Sequence, residues 1–327
     1  MKAKRIYRMG AIILLALILI IGGLAGYLAW FLPDVPLKEV KVEITAERIE
    51  RGKYLANHVM VCIDCHSSRD WSKLSGPIVP GTEGTGGEVF DERMGFPGSF
   101  VAPNITPYHL KEWTDAEIYR AVTAGVSKDG RALFPIMPYL TYGTMDKEDV
   151  YSVIAYIRTL PEISSKPALS KANFPMNLIL RTIPAEGVST VRPEKGVTAE
   201  YGKYLATAAS CIECHTPAKK GVIIPELAFS GGRSFPLPGG ILSSSNITPD
   251  PKTGIGAWTP EAFLTRFKTS SLENFSLASV DSNSFNTMMP WTMYSGMDTT
   301  DLLAIFEYLK SVKPIENQVT KFVPRTQ

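Results

Sequence analysis

Residues 62–66 read Cys62-Ile63-Asp64-Cys65-His66, and residues 211–215 read Cys211-Ile212-Glu213-Cys214-His215. The two pentads use all 4 cysteines of a 327-residue chain. C-x-x-C-H is the pattern of covalent c-type haem attachment. Its logic is geometric. Two thiols three residues apart on a helical turn can each add to one of the two vinyl groups on adjacent edges of a porphyrin. The next residue then projects an imidazole at the iron. Other uses of these residues fit less well. A Cys-x-x-Cys disulfide makes a tight redox loop and leaves the adjacent histidines unexplained. A zinc site would need a fourth ligand near both pentads, and a thioredoxin-like site would want a βαβ pattern that is missing.

The chain around the pentads repeats. Gly52-Lys53-Tyr54-Leu55-Ala56 recurs as Gly202-Lys203-Tyr204-Leu205-Ala206, and Asn104-Ile105-Thr106-Pro107 as Asn246-Ile247-Thr248-Pro249. Trp113-Thr114 matches Trp258-Thr259, Met137-Pro138-Tyr139 matches Met289-Pro290-Trp291, and Met145-Asp146 matches Met297-Asp298. Small loop changes account for every offset, so two copies of one domain are expected, residues 46–160 and 196–318. In each copy a helix starts near Thr45 or Thr198 as N-cap and ends in the cysteine motif. A Gly/Pro-rich span follows, 75–103 or 221–240, too broken for regular structure. A second helix starts after Thr114 or Thr259. The closing helix carries an apolar stripe, Val150, Ile154, Ile157 and Leu160 in one copy and Leu302, Ile305, Phe306 and Leu309 in the other. Nothing alternates with period two, so the expected class is all-α with long Gly/Pro-rich loops. Residues 161–195, with five prolines, read as an extended linker on the surface, and 319–327 as a tail.

The repeat also selects the second iron ligand. Of the histidines outside the pentads, His58 faces Ala208 and His109 falls beside Pro249-Asp250, so neither is duplicated and both read as local surface residues. Methionine recurs. Met137 and Met289 each follow the long loop and precede a proline that stiffens the backbone holding the sulfur, with Met288 a rival to its neighbour. Met145 and Met297 have another explanation, as staples against the first turn of the closing helix. The metal ligands read from the sequence are therefore His66 with Met137 and His215 with Met289, and no catalytic residue is expected. Two covalently attached haem c groups follow, each six-coordinate. Thioether ligation raises the potential relative to bis-imidazole haem, and the chemistry at such an iron is one-electron transfer.

Hydropathy and charge place the chain. Residues 9–33 carry no charge, and the 23 residues 10–32 would make a helix of about 35 Å, enough to cross a bilayer. Lys2, Lys4, Arg5 and Arg8 precede it and Asp34 follows, which orients residues 1–9 to the cytoplasm. The apolar run is longer than that of a cleaved signal peptide, so an uncleaved signal-anchor is expected, joined by a linker over 33–45. Either way the rest is exported. Beyond the anchor 30 basic residues face 32 acidic ones, no footprint for a nucleic acid.

With these residues in hand, the chain resembles a tandem di-haem class I-type cytochrome c. More narrowly it resembles the membrane-bound cytochrome c subunits of bacterial alcohol, aldehyde and gluconate dehydrogenases, over about residues 46–318. The resemblance rests on the Gly-Lys-Tyr-Leu-Ala helix, the pentads, Asn246-Ile247-Thr248-Pro249 with Thr253-Gly254-Ile255-Gly256-Ala257-Trp258, and Met-Pro-Tyr or Met-Pro-Trp before the last helix. It implies the same axial ligands, and a haem-edge and propionate role for Asn104, Trp113, Asn246 and Trp258. Those subunits usually hold three haems and attach at the C-terminus, whereas this chain has two pentads and an N-terminal apolar segment. The expected role is an electron carrier, not an enzyme, on the periplasmic face of the bacterial inner membrane. Its donor would be a membrane-bound dehydrogenase or quinol-oxidising complex, its acceptor a terminal oxidase or soluble cytochrome. The alternative is a di-haem oxidoreductase of peroxidase or thiosulfate dehydrogenase type. The matched methionines disfavour it, because a catalytic iron needs a site that opens.

Overall fold

The structure is a computed structural model that describes residues 2–269, 278–281 and 283–325. Its first element, α1 (Lys2–Trp30), is the apolar helix; within Lys4–Leu28 an 18-residue window has a mean hydropathy of 2.7 and packs against no core. It is long and apolar enough to cross a membrane.

The chain beyond α1 builds the same arrangement twice. In the first half, α2 (Ala46–Tyr54) leads to α3 (Cys62–Cys65), α4 (Pro107–Leu110), α5 (Asp115–Ala124), α6 (Tyr139–Tyr142) and α7 (Lys147–Ile157). A short α8 (Met176–Ile179) follows. The second half runs α9 (Ala199–Ala208), α10 (Cys211–His215), α11 (Pro260–Lys268), α12 (Trp291–Tyr294) and α13 (Thr299–Ser311). Threonine starts the helices as its side chain allows: Thr45, Thr114, Thr198 and Thr259 each accept an N–H from the first turn, and Thr114 forms a full capping box with Glu117.

In each half the first and last helices cross, α2 on α7 and α9 on α13. The crossing is set by the glycine of the repeated Gly-Lys-Tyr-Leu-Ala. A Cβ on Gly52 would lie 1.8 Å from the Ser152 carbonyl oxygen, and one on Gly202 would lie 1.8 Å from that of Ala304. Only hydrogen lets the backbones approach so closely. The apolar stripes of α7 and α13 fill the space beside the crossing, with Val150, Ile154, Ile157, Leu302, Ile305, Phe306 and Leu309 buried. Leu55 and Leu205, at matching places, are fully buried, and one continuous core joins both halves. Each such side chain contributes about 1.5–3 kcal/mol.

Three expectations need amending. The fold is not purely helical. Small antiparallel sheets form from β1 (Val89–Phe90), β2 (Gly98–Val101) and β3 (Lys171–Ala172), from β4 (Ala218–Lys219) with β5 (Val222–Ile223), and from β6 (Ser234–Leu237), β7 (Gly240–Ser243) and β8 (Phe322–Pro324). Strands of two to four residues are too short to show a period-two pattern. The stretches read as linker and tail join these sheets, β3 pairing with β2 and β8 with β7. Finally, α2 does not run into the cysteines. It widens into a π turn over Leu55–Val59, and Val61 breaks the helix with φ 48°; Ser210 does the same before Cys211 with φ 53°. The first half has one more residue between its repeated tyrosine and first cysteine (54 to 62, against 204 to 211), and the π turn absorbs it.

Candidate functional site

Each pentad sits on a one-turn helix, α3 or α10, so its two cysteines and the histidine leave one short segment together. The thiols are unpaired; Cys62, Cys65 and Cys211 are half-buried and Cys214 is exposed. Surrounding protein nevertheless screens them: burial pushes the Cys62, Cys65 and Cys211 thiols up to about 12, and raises Cys214 as well. Such thiols are neutral at ordinary pH. Thiolates, which a zinc site would require, are disfavoured there. Among the described residues, no three His, Cys, Asp or Glu side chains converge to hold a metal ion.

The histidines carry the clearest chemical information. His66 Nδ1 lies 2.8 Å from the Pro103 carbonyl oxygen, and His215 Nδ1 lies 2.8 Å from that of Ser245. A carbonyl only accepts, so Nδ1 bears the proton and Nε2 keeps its lone pair. Burial lowers both imidazole pKa values, with the carbonyl bonds opposing, which keeps the rings neutral. A neutral imidazole, anchored through one nitrogen and bare at the other, is oriented as a metal ligand. Backbone bonds hold each turn: Gly86 N–H donates to His66 O, and Gly231 N–H to His215 O, both at 2.8 Å.

The methionine segments repeat as closely. Pro138 and Pro290 share one backbone conformation (φ −78°, ψ 56° and φ −79°, ψ 65°), and Met137 and Met289 both pack against the core while remaining partly open. The Tyr139 N–H donates to Met137 O at 2.7 Å, and the Trp291 N–H to Met289 O at 2.8 Å. From the helices that follow, Tyr142 Oη donates to Met60 O at 3.1 Å and Tyr294 Oη to Ala209 O at 2.9 Å. Met60 and Ala209 stand two residues before Cys62 and Cys211, so each tyrosine ties its methionine segment to the wall that bears the cysteines. Burial first, then the nearby thiols, raise both phenols well above their ordinary value; Tyr294 also feels Tyr142 and Asp64 of the other half.

A porphyrin suits this donor set. Each half offers two neutral thiols for thioether bonds, a bare imidazole nitrogen beside them, and a thioether-bearing segment bonded to the same wall.

Other candidates fall differently. Asn104 is 1% exposed; its amide donates to Ile163 O and Ser165 O and accepts from the Thr106 N–H and hydroxyl. Asn246 donates to Thr253 Oγ1 and Ile315 O and accepts both bonds from Thr248. Both amides are fully occupied, which leaves no donor for a propionate. They fasten their loops to the chain that follows α7 and α13. Trp113 packs against the core, while Trp258 is 38% exposed. His58 is no local surface residue. The π turn delivers its Nδ1 to within 2.9 Å of Met293 O in the other half. Met145 and Met297 are buried; Asp146 caps α7 through the Glu148 N–H, whereas the Asp298 side chain makes no cap bond to α13.

Comparison with known proteins agrees with this chemistry. Residues 199–313 match the cytochrome c family model. The chain is 28% identical over 286 residues to the cytochrome c subunit of a quinone alcohol dehydrogenase from Gluconacetobacter polyoxogenes, covering 82% of this chain and 56% of that one. It is 28% identical over 278 residues to the fructose dehydrogenase cytochrome subunit of Gluconobacter japonicus, covering 81% and 52%. Over 199 residues it is 30% identical to a dihaem cytochrome c-type protein of Cereibacter sphaeroides, covering 58% and 63%. The chain thus spans about half the length of the two dehydrogenase subunits.

Proposed function

From a cytochrome c domain in residues 199–313, we propose that the whole chain is a di-haem electron carrier of a membrane dehydrogenase system. The observation that carries this reading is the matched pair of histidines, each next to a cysteine pair in sequence and with Nδ1 bonded to a carbonyl, which leaves Nε2 as the nitrogen for a metal. Cys62 and Cys65 would hold one haem c and Cys211 and Cys214 the other, with His66, Met137, His215 and Met289 as axial ligands. Bound there, haem c supplies a one-electron couple. The chain's part is to hold the ligands and keep the imidazoles neutral. The N-terminal helix would tether the molecule to the inner membrane, with both halves in the periplasm. The alcohol and fructose dehydrogenase relatives support a membrane-bound dehydrogenase as donor. A terminal oxidase or soluble cytochrome would accept.

The test counts haem and reads its ligands. Replacing Cys62 and Cys65, or Cys211 and Cys214, by alanine should each remove one of two haems in a pyridine haemochrome assay. Met137→Ala and Met289→Ala should each keep both haems and abolish the methionine–iron charge-transfer band of one. Loss of no haem from either cysteine pair would refute the attachment sites. An unchanged oxidised spectrum in both methionine variants would refute the ligands.

A further inference from the structure

Ser75 is a buried serine in a left-handed backbone conformation, with φ 67°. Glycine is the residue that adopts this conformation at least cost, so the hydroxyl there calls for a reason. Its contacts supply one. Ser75 Oγ donates to the Met289 carbonyl oxygen at 2.6 Å and accepts from the Trp291 N–H at 3.2 Å. It therefore holds both ends of the turn that presents the Met289 sulfur, from the opposite half of the molecule. Asn286 locks the same contact: its Oδ1 accepts from the Ser75 N–H at 2.9 Å, and its Nδ2 donates to Trp71 O and Lys73 O. Backbone bonds Leu74 to Ala278 and Val280 to Ser72 extend the pairing. On its other side the loop is tied to the first pentad. Arg69 donates to Ser75 O at 2.6 Å and to Gly76 O at 2.7 Å, and pairs with Asp64 at 3.0 Å.

Among the described residues, the Met137 turn is closed by its own Tyr139 N–H, with no side chain of the second half bonded to it. The two ligand segments, alike in backbone, differ in who holds them.

We propose that Ser75, locked by Asn286, is a positioning residue for the second haem's sulfur ligand, so that Met289 stays on its iron only while the first half is docked. The inference rests on the reading of Met289 as that ligand. Imidazole titration of the oxidised holoprotein tests it, because imidazole binds a haem iron only where the methionine has left. Ser75→Gly removes the hydroxyl and relieves the backbone, so the fold should be retained. It should raise the imidazole affinity of one haem by about tenfold, the worth of two modest hydrogen bonds, and leave the other haem unchanged. Asn286→Ala should act on the same haem. In a Met289→Ala background Ser75→Gly should have no further effect, the two changes acting as one unit. If Met289→Ala opens one haem while Ser75→Gly and Asn286→Ala change neither affinity, the positioning role is wrong and the ligand stands. If Met289→Ala itself opens no haem, the ligand reading falls and takes this proposal with it.

Discussion

Asn104 and Asn246 show how counting bonds assigns a single side chain a structural task. Each amide has two donors and an acceptor oxygen, and each is spent on neighbouring backbone or threonine. Truncating such a buried amide strands carbonyls without partners, at a cost of about 1–3 kcal/mol for each group. Asn246→Ala should therefore lower the urea midpoint substantially while leaving the oxidised haem spectrum as it was; a changed axial spectrum with unchanged stability would restore a haem role. The cysteines and histidines, by contrast, stand out in the sequence, because thioether attachment would demand its residues within five consecutive positions. The sequence also marked the methionines by repetition. It could not mark Ser75, whose purpose lies 214 residues away.

Helices were legible wherever their signals are local. The four threonine caps and the closing stripes stand where the periodicity puts them, except that Leu160 lies past the end of α7 and is only partly buried. The glycine of the repeated Gly-Lys-Tyr-Leu-Ala was visible as a repeat, yet its purpose emerged only at the crossing of first and last helix. A methyl group at Gly202 would overlap the Ala304 carbonyl, so the helices must part. Gly202→Ala should destabilise by about 3 kcal/mol, the upper range for overpacking, despite alanine's better helix propensity. Thermal unfolding measures this directly, and an unchanged or raised Tm would show that the crossing can relax. The short strands and the π turn left no periodic trace and could not be read in advance.

At the level of the molecule, the halves are joined by a reciprocal exchange. Tyr54 Oη donates to Asp301 at 2.7 Å and Tyr204 Oη donates to Asp149 at 2.6 Å; each phenol oxygen in turn accepts an N–H, from Asp298 and Asp146 respectively. Asp149 is fully buried and also bound by Arg51 at 2.8 Å and by Arg192. Burial opposes its charge, yet Arg51, Tyr204 and Arg192 hold its carboxyl below the ordinary value. A carboxyl depressed by folding contributes stability above about pH 4 and loses it as the pH falls further. Burial and Asp149 raise the Tyr204 phenol, whose contribution is present below about pH 10 and is lost as pH rises. The unfolding midpoint should therefore fall on both sides of that window. Asp149→Asn should lower stability at neutral pH by about 3 kcal/mol and flatten the acid side; an acid limb identical to that of the unaltered protein would show that other carboxyls govern it.

The sequence by itself determined the helix ends and marked the repeated motifs that point to haem attachment, because each depends on residues close together in the chain. Only the tertiary structure decided how the copies are joined. A repeat reads the same whether each tyrosine meets the aspartate of its own half or that of the other, and whether a loop closes on itself or clasps its neighbour. Those choices rest on packing between residues 55 to 247 positions apart, where spacing carries no signal and only the folded core brings the partners within a hydrogen bond.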